Sequence, residues 1–222
     1  MQIELWSDFA CPWCALGVYR LSAALAQFAH ADEVTVLHRA FELDPHAPAR
    51  RDQTMAEVLA RKYGMSPEQV RAGHERLTSL GREVGMDFQF DRIQLGNTFG
   101  AHRLAQAARG TAVEDALVKQ LFGAYFTEGK LLSDHDVLLA TATAAGMDPD
   151  VAAAVLAGDA HAADVRADEA TAQQLGITGV PHFVVNGKWA IPGAQDTETL
   201  VLALNRAWER TEGLEQAGAA TA

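Results

Sequence analysis

The first 43 residues place a strand, a helix and a second strand in close succession, and that order constrains the fold more than any other feature of the chain. "QIELW", residues 2–6, is rich in strand formers and begins almost at the first residue. Residues 11–29, "CPWCALGVYRLSAALAQFA", carry apolar side chains at helical spacing. Pro12 falls in the first turn, where proline is tolerated. "VTVLHRAFEL", residues 34–43, reads as the second strand. A strand, a crossing helix and a strand close most readily as a parallel pair, so a parallel sheet is expected.

The pattern then changes. From Gln53 to Gly158 there is helix after helix and no convincing strand. "MAEVLARKYG" ends in glycine, and Ser66, Pro67 and Gln69 open the next helix with the signature of a capping box. Further helical stretches are predicted at about 98–109, 113–127, 133–145 and 148–157. Residues 160–175 form another helix ending at Gly176. "HFVVNGKWAI" then reads as two strands joined at Asn186-Gly187, a strong hairpin signal. A last helix is expected over 195–211, followed by a frayed tail. The expected organisation is therefore an α/β part over 1–50, an all-helical insertion over 51–158, the second α/β part over 159–212, and a flexible tail over 213–222.

Composition excludes some partners. The 222 residues are 49% hydrophobic, enough for a sizeable core without staples. A net charge of −11 argues against nucleic acid and anionic membrane surfaces. No window approaches a membrane span. The N-terminus lacks a basic and apolar leader, so the expected compartment is the cytoplasm, where a permanent disulfide is disfavoured.

Both cysteines of the chain lie in "SDFACPWC", residues 7–14. Cys11 and Cys14 could be a redox pair, half a metal site or a structural staple. A zinc site normally needs four ligands, no second cysteine pair exists, and His38, His46, His74 and His102 lack ligand-like spacing. Position favours redox chemistry. Cys11 falls at a helix start, where unsatisfied N–H groups and the dipole favour a thiolate. Cys14 lies one turn further in on the same face, where it can resolve a mixed disulfide. Pro12 stiffens the turn between them, and Trp13 offers an apolar rim. Asp8 is placed to cap the helix or to bond within the turn.

Four segments together, "SDFACPWC" at 7–14, "FELDP" at 41–45, "NTFGAHRL" at 97–104 and "GVPHFVVNGKWAIPGAQ" at 179–195, resemble the DsbA-like thiol oxidoreductases of the FrnE branch. The resemblance spans residues 2–210. It implies a thioredoxin-like α/β fold with a large helical insertion after the second strand. The same branch includes 2-hydroxychromene-2-carboxylate isomerases and kappa-class glutathione transferases, which usually carry serine where this chain has Cys11. The resemblance assigns Pro181 to a cis-proline facing the cysteine pair, with Val180 presenting its backbone to an extended substrate. It leaves His182 either beside the thiols or on a strand facing the helical part. It places Asn97 and His102 on the part of the insertion that faces the site; read alone, Asn97 or Thr98 is a helix cap. Many relatives bury an acid on the first strand six residues before the first cysteine, but here that position is Leu5. Gln195 is expected to cap the last helix. The implied activity is dithiol–disulfide exchange on a protein or small-molecule disulfide, without metal or organic cofactor and with glutathione open as a co-substrate. A glutathione-dependent isomerase or transferase and a redox-switched chaperone are the rival readings, and a homodimer is left open.

Overall fold

Ile3, Leu5 and Trp6 have almost no contact with solvent, and a strand so covered on both faces belongs inside a sheet. In the computed structural model, which describes the backbone of residues 1–219 and side chains to residue 211, that strand is β1 (Gln2–Ser7). It pairs in parallel with β2 (Thr35–Ala40) on one side. On its other side it pairs antiparallel with β3 (His182–Val185), which turns into β4 (Trp189–Pro192). The order β2-β1-β3-β4 makes a mixed sheet, parallel only at the first pair. The hairpin turns at Asn186 and Gly187, both with positive φ, as the Asn-Gly pair requires.

Alternation along the strands sorts side chains onto two faces. Ile3, Leu5, Phe183 and Val185 meet α1 (Pro12–Leu25) and α9 (Thr197–Ala219) in the main core, with Val18, Leu21, Leu200 and Leu204. Trp6 and Val184 face the other way, against Ala172 of α8 (Ala162–Gln174) and Ile177. Between β2 and α8 run α2 (Met55–Tyr63), α3 (Pro67–Glu83), α4 (Phe99–Ala108), α5 (Glu114–Phe126), α6 (His135–Ala144) and α7 (Pro149–Ala157), with no strand among them. The capping box at Ser66 and Gln69 is present, and Thr54 with Glu57 makes a second one that opens α2.

Two expectations are corrected. The second strand ends at Ala40: the Phe41 amide makes a last bond to the Ser7 carbonyl, and the chain then leaves the sheet as the Leu43 amide turns inward to the Asp8 carboxylate. The last helix continues to Ala219, past the end expected at residue 211. Of the tail expected over 213–222, the backbone to Ala219 is therefore helical, and residues 220–222 lie outside the described residues.

The helical block is tied to the sheet by a buried acid, Asp168 of α8. Its carboxylate accepts from Arg39 (2.8 Å) and the Ala40 amide (3.0 Å) on β2, and from Gln106 (2.5 Å) and Arg109 (2.5 Å) beside α4. Arg39 also pairs with Glu4 on β1. A buried carboxylate needs such company, since desolvation alone costs several kcal/mol.

Nearby, His38 of β2 is buried with its ring Nδ1 unpartnered. Burial, helped by the Lys119 and Arg109 charges, pushes its pKa down to about 4. Between the ordinary histidine value and about 4, the unfolded chain binds the proton and the folded chain does not, so stability falls as pH falls. The window is worth on the order of 3 kcal/mol. Urea unfolding should weaken by roughly that amount from pH 7 to pH 4, and His38→Gln should flatten the slope. An unchanged slope in the variant would show that another group carries it.

Candidate active site

The turn between β1 and α1 sets the two sulfurs. Cys11 is the N-cap of α1 in extended conformation, and Pro12 opens the helix without needing an N–H partner. The Cys11 amide donates to the Asp8 carbonyl (3.0 Å), while the Cys14 and Ala15 amides donate to the Cys11 carbonyl (3.0 and 3.2 Å). Both thiols are free. Cys11 keeps 5% of its surface accessible and Cys14 none, so an incoming group meets Cys11 first. Burial pushes the Cys14 thiol well above the ordinary range, and the neighbouring Cys11 and the Asp8 charge add to it. Trp13 is exposed at the rim, with the Arg76 guanidinium of α3 lying 6.0 Å over its ring.

The Val180–Pro181 peptide is cis. The Val180 carbonyl accepts from the Cys11 thiol at 3.7 Å, and the Pro181 carbonyl accepts from the Gly193 amide at 2.9 Å. Arg20 of α1, nearly buried, donates to the Ala194 carbonyl at 2.8 Å and so pins the segment before α9 to the thiol-bearing helix. Gly17 lets α1 approach this loop. A Cβ there would stand 3.0 Å from the Pro181 ring and 3.4 Å from Phe183.

Asp8 lies beneath the turn, 2% exposed. Its Oδ1 accepts from the Ala10 amide (3.1 Å) and the Thr98 hydroxyl (2.8 Å), and its Oδ2 from the Leu43 amide (2.7 Å). His102 Nε2 stands 3.5 Å from Oδ1, at the outer edge of hydrogen-bond reach. Burial would raise the Asp8 pKa, but these partners outweigh it and hold the carboxyl below its usual value. The His102 ring packs against Phe9, centroids 4.8 Å apart. The buried Tyr125 hydroxyl has no hydrogen-bond partner among the described residues, and its pKa is pushed up by burial and the Asp8 charge.

Cys11, Pro12, Trp13, Cys14, Asp8, Val180, Pro181 and His102 are thus gathered at one end of β1. His182 is not beside the sulfurs. It opposes Trp6 in the sheet, on the α8 face, whereas Phe183 is the residue that faces α1. Asn97 makes its bond through the backbone, its amide donating to the Pro48 carbonyl at 3.0 Å. Neither Asn97 nor Thr98 caps α4 with its side chain: Thr98 at the N-cap has φ −110° and ψ 5°, away from the extended conformation that aims a cap at the first amides, and its hydroxyl donates to Asp8 instead. Gln195 does not cap α9; the Asp196 carboxylate accepts the Thr199 amide, and the Gln195 amide group donates to the Pro192 carbonyl. Thr98, read in the sequence only as a possible helix cap, joins Gly17, Arg20 and Tyr125, which went unread. The Asx turn at Asp8 and the one-turn spacing of Thr98 and His102 are the signals that bear on the first of these. Among the described residues, no group of three or more His, Cys, Asp or Glu is gathered as for a metal ion. None of the described helices is long and apolar enough to cross a membrane.

A paired-cysteine helix start facing a cis-proline loop, on a sheet of this order, defines the thioredoxin-like class. The chain belongs to the family of the DsbA-like thioredoxin domain, whose model matches residues 2–205. No curated protein matches it in sequence. It is similar to a probable DsbA oxidoreductase from Streptomyces coelicolor at 40% identity, over 94% of this chain and 90% of that one, with a TM-score of 0.88. It shares its fold with a 2-hydroxychromene-2-carboxylate isomerase at 17% identity, over 96% of this chain and 99% of that one, TM-score 0.71. It shares it also with the cytosolic disulfide reductase DsbM from Pseudomonas aeruginosa at 17% identity, over 97% and 100%, TM-score 0.64.

Gly17→Ala tests the packing of α1 on the loop. The added methyl favours the helix by about 1 kcal/mol but pushes on the Pro181 ring, so net stability should move by less than about 1 kcal/mol. The loop should back away and uncover the Cys11 thiol. Alkylation of Cys11 by iodoacetamide is expected to speed up several-fold; an unchanged rate would mean that the loop absorbs the methyl without moving.

Proposed function

We propose that the chain carries out dithiol–disulfide exchange, with Cys11 attacking and Cys14 resolving. The observation that supports this most directly is the asymmetry of the two thiols: Cys11 at the helix start with its surface just accessible, Cys14 one turn inside and fully covered. The 40% identity to a probable DsbA oxidoreductase supports the same reading.

In the reductive direction the Cys11 thiolate attacks one sulfur of a substrate disulfide. That bond breaks, one substrate thiolate leaves and takes up a proton, and a mixed disulfide on Cys11 remains. Cys14 then loses its proton, attacks the Cys11 sulfur and expels the second substrate thiolate. The substrate has gained two electrons and the enzyme holds a Cys11–Cys14 disulfide. A thiol reductant, with glutathione the simplest candidate, returns the two electrons. A reducing compartment such as the cytoplasm favours this direction, since reduction potentials against the surroundings decide it. The Cys11 thiol's bond to the Val180 carbonyl exists only while the sulfur keeps its proton. Ionisation frees that carbonyl to accept an N–H from a bound substrate.

Single-cysteine variants test the assignment. Cys14→Ser should accumulate mixed disulfides with partners in a cell extract, visible on non-reducing gels and lost on reduction. Each pKa unit by which burial raises Cys14 cuts its thiolate about tenfold at neutral pH, so Cys11→Ser should trap at least about tenfold less. Equal trapping, or none in either variant, would remove the roles assigned here. Insulin-disulfide reduction should be lost in both.

A further inference from the structure

The first part of the helical block carries a cleft that the dithiol reading does not use. It has a volume of about 1000 Å³ and opens between the segment after β2, one face of α3 and the turn at 88–95. Arg71, His74, Thr78 and Arg82 follow one another at turn spacing on α3 and line one wall. Arg50, on the segment after β2, also lines the cleft. Arg50, Arg71 and Arg82 have no ion-pair partner among the described residues. Arg51, also on the wall, is held by Asp44. Asp52, Glu75 and Asp91 reach the same cleft, so its charges nearly balance. That balance is itself unusual here. Residues 50–92 hold eight Lys and Arg against seven Asp and Glu, in a chain of net −11.

The floor is aromatic. The His74 ring stacks on Phe90 at 4.0 Å and 6°, and Phe90 stacks on Phe88 at 5.3 Å. His74 Nε2 is buried without a hydrogen-bond partner among the described residues. Burial lowers the His74 pKa, so the ring is neutral at pH 7 and offers a flat face rather than a charge.

Two of the cleft's walls connect to the thiol turn. Its Arg51 amide donates to the Leu95 carbonyl at 2.8 Å, and three residues on, Thr98 donates to Asp8, whose carbonyl holds the Cys11 amide. On the other wall, α3 sends Arg76 over the ring of Trp13.

We propose that this cleft is the specificity site of the exchange reaction, and that it selects small disulfides bearing a flat ring and a carboxylate. The ring lies against the His74–Phe90 stack and the carboxylate meets Arg71 and Arg82. This rests on the dithiol reading: the bond that forms and the bond that breaks are those of the Cys11 attack described above, and only the choice of substrate is added.

The test uses pre-reduced protein in single turnovers, so no further reductant is involved. Three disulfide probes are compared: dithiobis-nitrobenzoate (an aromatic dianion), dithiodipyridine (aromatic, uncharged) and dithiodipropionate (an aliphatic dianion). Arg71→Ala combined with Arg82→Ala is set against the parent, with Arg61→Ala, off the cleft, as control. Exposed arginines contribute modestly and are screened by salt, so the double variant should slow dithiobis-nitrobenzoate about five- to tenfold at low ionic strength. Dithiodipropionate should slow by less, dithiodipyridine should keep its rate, and Arg61→Ala should change none of them. Equal slowing of all three probes, or no slowing of the dianions, would overturn the proposal. Calorimetry with nitrobenzoate on Cys11→Ser protein reads the cleft without the nucleophile. Binding there that is weakened by the two arginine changes supports the site, and no binding overturns it. A parent that exchanges with none of the probes but binds nitrobenzoate would instead sink the dithiol reading.

Discussion

The carboxylate of Asp8 is out of water, and three elements must be in place before it can be there as an anion. Stripping a carboxylate of solvent costs several kcal/mol. Each hydrogen bond to a charged group offsets about 1.5–3 kcal/mol. The Ala10 amide alone cannot meet that cost; the Leu43 amide and the Thr98 hydroxyl together with it can. The charge is therefore stable only when the segment after β2 and the start of α4 have both docked. Because the backbone carbonyl of the same residue receives the Cys11 amide, the thiol turn is fixed by the same event. The helical block is a structural partner of the turn as well as a wall beside it.

That arrangement separates two thiols that are one helical turn apart. Cys14 has no access to solvent, and both its burial and the fixed Asp8 charge keep its proton on. Cys11 lies at the open end of the same helix, where the chain has left the strand and the Val180 carbonyl of the proline loop accepts its thiol proton. The strand acid that many relatives carry is Leu5 here, buried and apolar. The negative charge near the thiols instead comes from three residues before Cys11, in the turn, and is anchored from outside the sheet.

Local signals in the sequence were read well, and long-range ones were not. The two strands of the hairpin, the helix that starts at Pro12, the capping box at Ser66 and the succession of helices between β2 and β3 all depend on spacing within a few residues, and periodicity reports that directly. The partnership of Asp8 with Thr98 spans 90 residues and leaves no local trace. Thr98 reads as a cap because threonine before a helix usually is one; its backbone is not in the cap conformation, and its hydroxyl donates to a buried anion instead. His182 was ambiguous for a related reason. Its face is decided by the register of β3 on β1, which only the pairing of Trp6 with His182 settles. Gly17 reads as an ordinary weak helix residue until Pro181, far along the chain, is found against it.

The fold by itself says little about the reaction, since proteins named as an isomerase and as a disulfide reductase match this chain over nearly its whole length at 17% identity. What distinguishes a chain on such a scaffold is the atom at the helix start and the walls around it. A hydroxyl at position 11 would keep its proton at neutral pH and could only orient a ligand, whereas a sulfur there can ionise, attack and be attacked in turn. The second sulfur matters only because the helix brings it onto the same face one turn later. The remaining freedom lies in the walls. On the sheet side they are β3 and the proline loop, held by the ladder of β3 on β1, by the close approach of Gly17 and by the Arg20 side chain. On the helical side they are side chains of α3 and of the segment after β2, which can change without disturbing the sheet, and it is on that side that the charge of this acidic chain comes nearest to balance.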